Sequence, residues 1–235
     1  MSLAPFKVLL FDCYGDWETG MLENLKPLLD QPSAPSRDRL FEVLGPIENR
    51  IQDEQPTMLY SELLAKVYIE TAEKLNLKSD EAQAKAFGNS IPSWPAFPDS
   101  ADALKKLSDA GLKLVILSNV DNKSFDGSKR KLEKGFTFDA IYTAEKIGSY
   151  KPSLRNFEYA IENIKQDFGL EKEDILIVAN SKYHDVQPGH KKGIKSAWID
   201  RERAFMGVSA YKDVIPDYQF QSMMEFANAI IKEKS

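Results

Sequence analysis

At 235 residues, with 43% hydrophobic and 29% charged residues, the chain has an ordinary globular make-up and length for one large domain, or a core carrying a smaller insertion. A formal net charge of -5 argues against nucleic acid or an anionic membrane as the main partner, since those need a concentrated basic face. The single cysteine, Cys13, excludes an intrachain disulfide and a cysteine-built zinc site, and fits a reducing, cytoplasmic setting. The N-terminus moves straight into a strand, so no signal peptide is expected, and no apolar run approaches the roughly 20 residues that span a bilayer.

Lys7–Phe11 reads as a short buried strand that ends in Asp12, with Gly15 free to turn the chain. Helical patterning starts near Met21 and stops near Pro32. Ser36 is a candidate N-cap for a second helix carrying Leu40, Phe41, Val43, Leu44 and Ile47, which Gly45-Pro46 should disturb. Leu59–Leu75 and Asp80–Asn89 read as further helices, and Pro92, Pro95 and Pro98 punctuate the end of this strand-free stretch. The pattern then changes. A helix over Ser100–Ala110, closed by Gly111, precedes strands at Lys113–Leu117 and Phe138–Tyr142, a helix at Asn156–Phe168 and a strand at Ile175–Ala179. Gly189–Gly193 closes a helix before the strand Ser196–Ile199. Gln219-Phe220 forms a last edge strand, and Ser222–Lys232 a final helix.

Strands alternating with helices imply an α/β fold: a Rossmann-like parallel sheet core of residues 1–17 and 96–235, with an all-helical module of residues 18–95 inserted after the first strand. Four polar groups fall at or beyond the carboxyl ends of these strands: Asp12, Ser118-Asn119, Lys151 and Asp185. Such ends share one edge of a doubly wound sheet, where active sites form. Each group also has a plain reading: a turn after a strand, a solvated loop at Lys151, an N-cap at Asp185.

Phe11-Asp12-Cys13-Tyr14-Gly15, Leu117-Ser118-Asn119, Gly148-Ser149-Tyr150-Lys151-Pro152 and Asn180-Ser181-Lys182-Tyr183-His184-Asp185 together resemble the four ordered motifs of the haloacid dehalogenase (HAD) superfamily. The inserted helices resemble its cap domain. Within the superfamily the chain looks closest to the type II L-2-haloacid dehalogenases, in a branch found in fungi. The resemblance implies a hydrolase in which Asp12 is the nucleophile and forms an ester that water hydrolyses. Lys151 would hold Asp12 ionised, and Asp185 would pair with Lys151 and help place the water. Ser118, Asn119, Ser181 and Tyr14 are the implied substrate-binding residues. The implied partner is a small molecule, a 2-halo carboxylic acid, with no cofactor; homodimers are common in the family.

Two other readings stay open. In the superfamily's phosphatases an Asp stands two residues after the nucleophile. Tyr14, which occupies that place, is far too weak an acid to replace it. A magnesium-dependent small-molecule phosphatase would use Asp12 and Asp185 as metal ligands. A folded binding protein with impaired catalysis is the third reading, because the chain departs from the pattern. Three residues that include a substrate-binding Thr are missing after Gly15. Leu44-Gly45-Pro46 stands near the expected cap Arg, with Arg50 the nearest cation. Phe157 replaces a Tyr, and Lys182 an Asn. Trp17, Trp94 and Phe97 read as core residues before pocket residues, and Lys129-Arg130-Lys131 with Lys134 as a solvated helix face. His184 and His190 form no zinc pattern. A packing role is the first reading of His184, and proton transfer beside Asp185 the second.

Overall fold

A computed structural model describes residues 2–12, 17–201, 211 and 213–234, without the side chains of Trp17 and Glu18. Strand β1 (Val8–Phe11) is followed by four helices: α1 (Trp17–Leu29), α2 (Arg37–Glu54), α3 (Tyr60–Lys74) and α4 (Glu81–Gly88). The core elements come next: α5 (Ser100–Asp109), β2 (Lys113–Ser118), α6 (Asn122–Leu132), β3 (Ala140–Thr143), α7 (Ala144–Ile147), α8 (Leu154–Phe168) and β4 (Ile175–Ala179). A five-residue π-turn, Lys182–Val186, leads into α9 (Gln187–Lys191), β5 (Lys195–Ile199), β6 (Tyr218–Phe220) and α10 (Met223–Lys234).

The strands form one parallel sheet in the order β3-β2-β1-β4-β5-β6, so β1 lies in its interior and β6 at an edge. Alternate residues face opposite layers, as the two-residue period of a strand requires. Leu9, Phe11, Ile116, Val178 and Ile199 pack with α5, α10 and the inserted helices, while Val8, Leu10, Val115, Ile177 and Ala179 pack under Phe157, Ala160 and Ile164 of α8. Burial on both faces explains why these strands read as unbroken apolar runs. The α/β, Rossmann-like expectation agrees with this sheet.

Two expectations need correction. Helix α2 runs through Gly45-Pro46 without a break. Pro46 lies on its exposed side, where the carbonyl it leaves unpaired meets water, while Phe41, Leu44, Ile47 and Ile51 hold the inner face. Pro27 sits inside α1 in the same way. Nor is Lys131 a solvated charge: its Nζ donates to Pro92 O (2.7 Å) and Trp94 O (2.5 Å), gripping the segment that returns from the inserted helices. Gly127 allows this approach, since a Cβ there would lie 2.4 Å from Pro92. Two more bonds join the inserted helices to the core: Ser61 N to Asp121 Oδ2 (3.0 Å) and Tyr150 Oη to Met58 O (2.5 Å). Among the described residues no helix is long and apolar enough to cross a membrane.

Candidate active site

Asp12 follows the last residue of β1, and its N–H donates to Val178 O on β4 (3.2 Å), which carries the sheet ladder one residue further. Its carboxylate is 18% exposed and its Oδ1 accepts a hydrogen bond from Lys151 Nζ at 2.8 Å. The Lys151 ammonium also donates to Asp185 Oδ1 (2.7 Å) and to Leu117 O at the end of β2 (2.8 Å). Three acceptors from three strand ends thus meet the three donors of one ammonium. Lys151 is 1% exposed and Asp185 2%, so neither is the solvated loop charge or the simple cap that each could have been.

Two side chains set the position of Lys151. Asn119 Oδ1 accepts from Lys151 N (2.6 Å) and Asn119 Nδ2 donates to Lys151 O (3.0 Å), clamping the backbone of that residue. Asn156 Nδ2 holds Ser149 O two residues earlier (2.8 Å). Asn119, expected at the substrate, therefore directs its amide to the lysine. Ser181 also has a protein partner: its Oγ accepts from His184 N (3.0 Å) and lies 3.2 Å from His184 Nδ1, closing the π-turn that presents Asp185. Tyr14, Gly15 and Asp16, where the missing residues were expected, lie outside the described residues.

Electrostatics follow from one buried ammonium shared by two carboxylates. Burial alone would push Lys151 down, but Asp12 and Asp185 outweigh it, and its pKa stands above the ordinary lysine value. Lys151 is therefore charged throughout the neutral range. Burial pushes Asp185 up; the attraction of Lys151 opposes this and the nearby Asp12 charge adds to it. One cation cannot neutralise both carboxylates, so Asp185 holds its proton more tightly than a free carboxyl does. His184, beside Asp185, is pushed down to about 4 by burial and by the Lys151 ammonium, with Asp12 pulling the other way. The ring is neutral near pH 7.

Ser118 Oγ, Asp185 Oδ2 and His184 Nε2 are buried with no hydrogen-bond partner among the described residues. Buried polar atoms are nearly always paired, so three orphans on residues around one ammonium mark a place for atoms that come from elsewhere. Asp12 also borders a cavity of about 60 Å³, mostly apolar, with Phe97, Asn180 and Arg201 in its wall. Trp94 is a core residue, as expected, and its indole N–H donates to Ser90 Oγ (2.9 Å). Phe97, expected in the core, is instead a wall of this cavity, with the Arg201 guanidinium 3.9 Å from its ring centre and bound to Asp99 Oδ1 (2.9 Å). Sequence reasoning did not single out Arg201. The signal was available: it stands just beyond the end of β5, on the same sheet edge as Asp12.

Arg50 does not join the site. It is 44% exposed on α2 and tied to Glu54 (2.6 Å) and Glu70. Phe157 is fully buried beneath the sheet, and Lys182 lies over the Trp198 ring at 4.3 Å. Oδ1 of Asp12 and Oδ1 of Asp185 both hold the Lys151 ammonium, and no group of three or more His, Cys, Asp or Glu side chains suited to a metal ion occurs among the described residues.

Known proteins resemble the chain as follows. A family model described as haloacid dehalogenase-like hydrolase matches residues 47–199. The (S)-2-haloacid dehalogenase of Pseudomonas putida is 26% identical over 161 residues, which cover 68% of this chain and 67% of that one. The (S)-2-haloacid dehalogenase of Pseudomonas sp. (strain YL) is 34% identical over 107 residues, 45% of this chain and 43% of its own. In structure, an L-2-haloacid dehalogenase from Xanthobacter autotrophicus with chloropropionic acid covalently bound matches 95% of this chain and 97% of its own with a TM-score of 0.73, at 16% identity. At that identity the likeness concerns the fold.

Proposed function

The chain belongs to the haloacid dehalogenase-like hydrolases, and from that membership we propose that it removes halide from small 2-halo carboxylic acids through an ester on Asp12. The observation that carries the reading is the Lys151 ammonium, held by Asp12 Oδ1, Asp185 Oδ1 and Leu117 O. The buried ammonium holds Oδ1 and leaves Oδ2 as the attacking atom. Oδ2 attacks C2 of the substrate from the side opposite the halogen. The C–O bond forms as the carbon–halogen bond breaks, and halide departs. The Ser118 hydroxyl, whose Oγ lacks a partner among the described residues, hydrogen-bonds the substrate's carboxylate. Water then attacks Asp12 Cγ rather than C2. The C2–O bond survives, and the 2-hydroxy acid leaves with one inversion at C2.

The test is halide release from fluoro-, chloro- and bromoacetate and from both enantiomers of 2-chloropropionate. Release is expected from at least one of these acids, without added metal, and is lost in Asp12→Asn. No release from any of them, or magnesium-dependent phosphate release from a phosphate monoester in its place, overturns the proposal.

A further inference from the structure

His184 has no part in the displacement step, yet its ring is placed with care. It stands on the π-turn Lys182–Val186, next to Asp185. Ser181 Oγ accepts the His184 backbone N–H (3.0 Å) and lies 3.2 Å from ring Nδ1, which fixes how the ring faces. The far nitrogen, Nε2, is buried without a partner among the described residues, and so is Asp185 Oδ2 on the next residue. A buried polar atom left unpaired loses its hydration without a replacement partner. A single water molecule, which takes two to four polar partners, would satisfy both atoms. When Nδ1–H donates to Ser181 Oγ, Nε2 carries a lone pair. The ring is neutral near pH 7, and Lys151 and Asp12 are both close enough to bear on its charge.

We infer that His184 is a catalytic residue for the second half of the reaction: its Nε2 takes a proton from the water that hydrolyses the Asp12 ester. Asp185 Oδ2 accepts that water's other hydrogen and orients it, while Asp185 Oδ1 stays on Lys151. The water oxygen bonds to Asp12 Cγ as its proton moves to Nε2. The Cγ–O bond to the product then breaks, and the imidazolium returns the proton to the departing alkoxide. The regenerated Asp12 carboxyl loses its remaining proton to solvent beside the Lys151 ammonium. This base is a feature of the chain's own motif Ser181-Lys182-Tyr183-His184-Asp185, and it rests on the covalent-ester reading above.

The experiment is rapid-quench mixing of 2-chloropropionate with the wild type, His184→Asn and His184→Phe. Chloride is followed in the first turnover, and the Asp12 adduct by intact-protein mass spectrometry. The rate constant for decay of the adduct counts only sites that formed it, so partial misfolding of a variant does not distort it. Both variants are expected to release the first equivalent of chloride within about threefold of the wild-type rate. Their adduct should then decay at least ~100-fold more slowly and accumulate, in keeping with the ~10²–10⁴-fold worth of a general base. Adduct decay within threefold of wild type, or first-turnover release and decay slowing in parallel, overturns the inference while leaving the ester reading intact. Failure of the wild type to form any adduct, as in Asp12→Asn, overturns the ester reading and this inference with it.

Discussion

Replacing Glu48 by Gln should stabilise the protein by an amount that grows as pH rises from about 4.5 to about 7 and is constant above that. Glu48 lies on the buried face of α2, where its Oε1 accepts hydrogen bonds from Gln52 Nε2 (3.0 Å) and Tyr60 Oη (2.8 Å). Burial pushes its pKa from 4.5 up to about 7, against the pull of the Tyr60 hydrogen bond. The folded state therefore holds the proton more tightly than the unfolded chain. Below about pH 4.5 both states are protonated and Glu48 makes no difference. Between about pH 4.5 and 7 the unfolded chain ionises while the folded protein keeps its proton, so stability falls across that range and levels off once the buried carboxyl also ionises. The rise from 4.5 to about 7 amounts to ~3 kcal/mol once both states are ionised. Gln keeps an oxygen for both donors and never ionises. Urea unfolding of wild type and Glu48→Gln at pH 4.5, 6, 7 and 8 should show a gap that opens from near zero to ~3 kcal/mol. A gap that stays constant with pH, or closes as pH rises, refutes the reasoning.

Three other substitutions have expected outcomes. Lys151→Met leaves the Asp12 and Asp185 carboxylates without their shared ammonium and should destabilise the protein by ~3–5 kcal/mol in thermal or urea unfolding, with part recovered by adding Asp185→Asn. Asn119→Ala removes both bonds to the Lys151 backbone; kcat should fall at least tenfold and stability by ~2 kcal/mol, as measured by steady-state halide release and urea unfolding. Gly88→Ala places a Cβ 2.1 Å from Ser61 O, a backbone atom of α3 that cannot swing aside, and should cost ~1–3 kcal/mol, read from the urea midpoint.

The sheet was legible because its strands are buried on both faces and so read as plain apolar runs at Val8–Phe11, Lys113–Ser118 and Ile175–Ala179. Asp12, Lys151 and Asp185 were legible because parallel strands bring their carboxyl ends to one edge, whatever their separation in sequence. What local patterning could not show is which side of an element faces water. Pro46 looked like a break, and is tolerated because it falls on the exposed side of α2. Lys131 looked solvated among its basic neighbours, and turns out to hold two carbonyls. Phe97 looked like core, and became a cavity wall once β5 and the returning segment met. Buried acids such as Glu48 leave no mark in a single sequence, since their environment is made by residues from other elements, here Tyr60 of α3. The roles of Asn119 and His184 depend on individual hydrogen bonds, which no spacing encodes.

One single-turnover measurement bears on the central claim most directly. With the enzyme in molar excess over 2-chloropropionate in ¹⁸O-water, a nucleophilic Asp12 requires that the heavy oxygen enter the Asp12 carboxylate. The first 2-hydroxy acid released should then carry only ordinary oxygen in its new hydroxyl. Peptide mapping should find the label on the peptide that contains Asp12 and not in product. Label in the hydroxyl of the first product, with Asp12 unlabelled, means that water attacks the substrate directly, and it contradicts the ester mechanism.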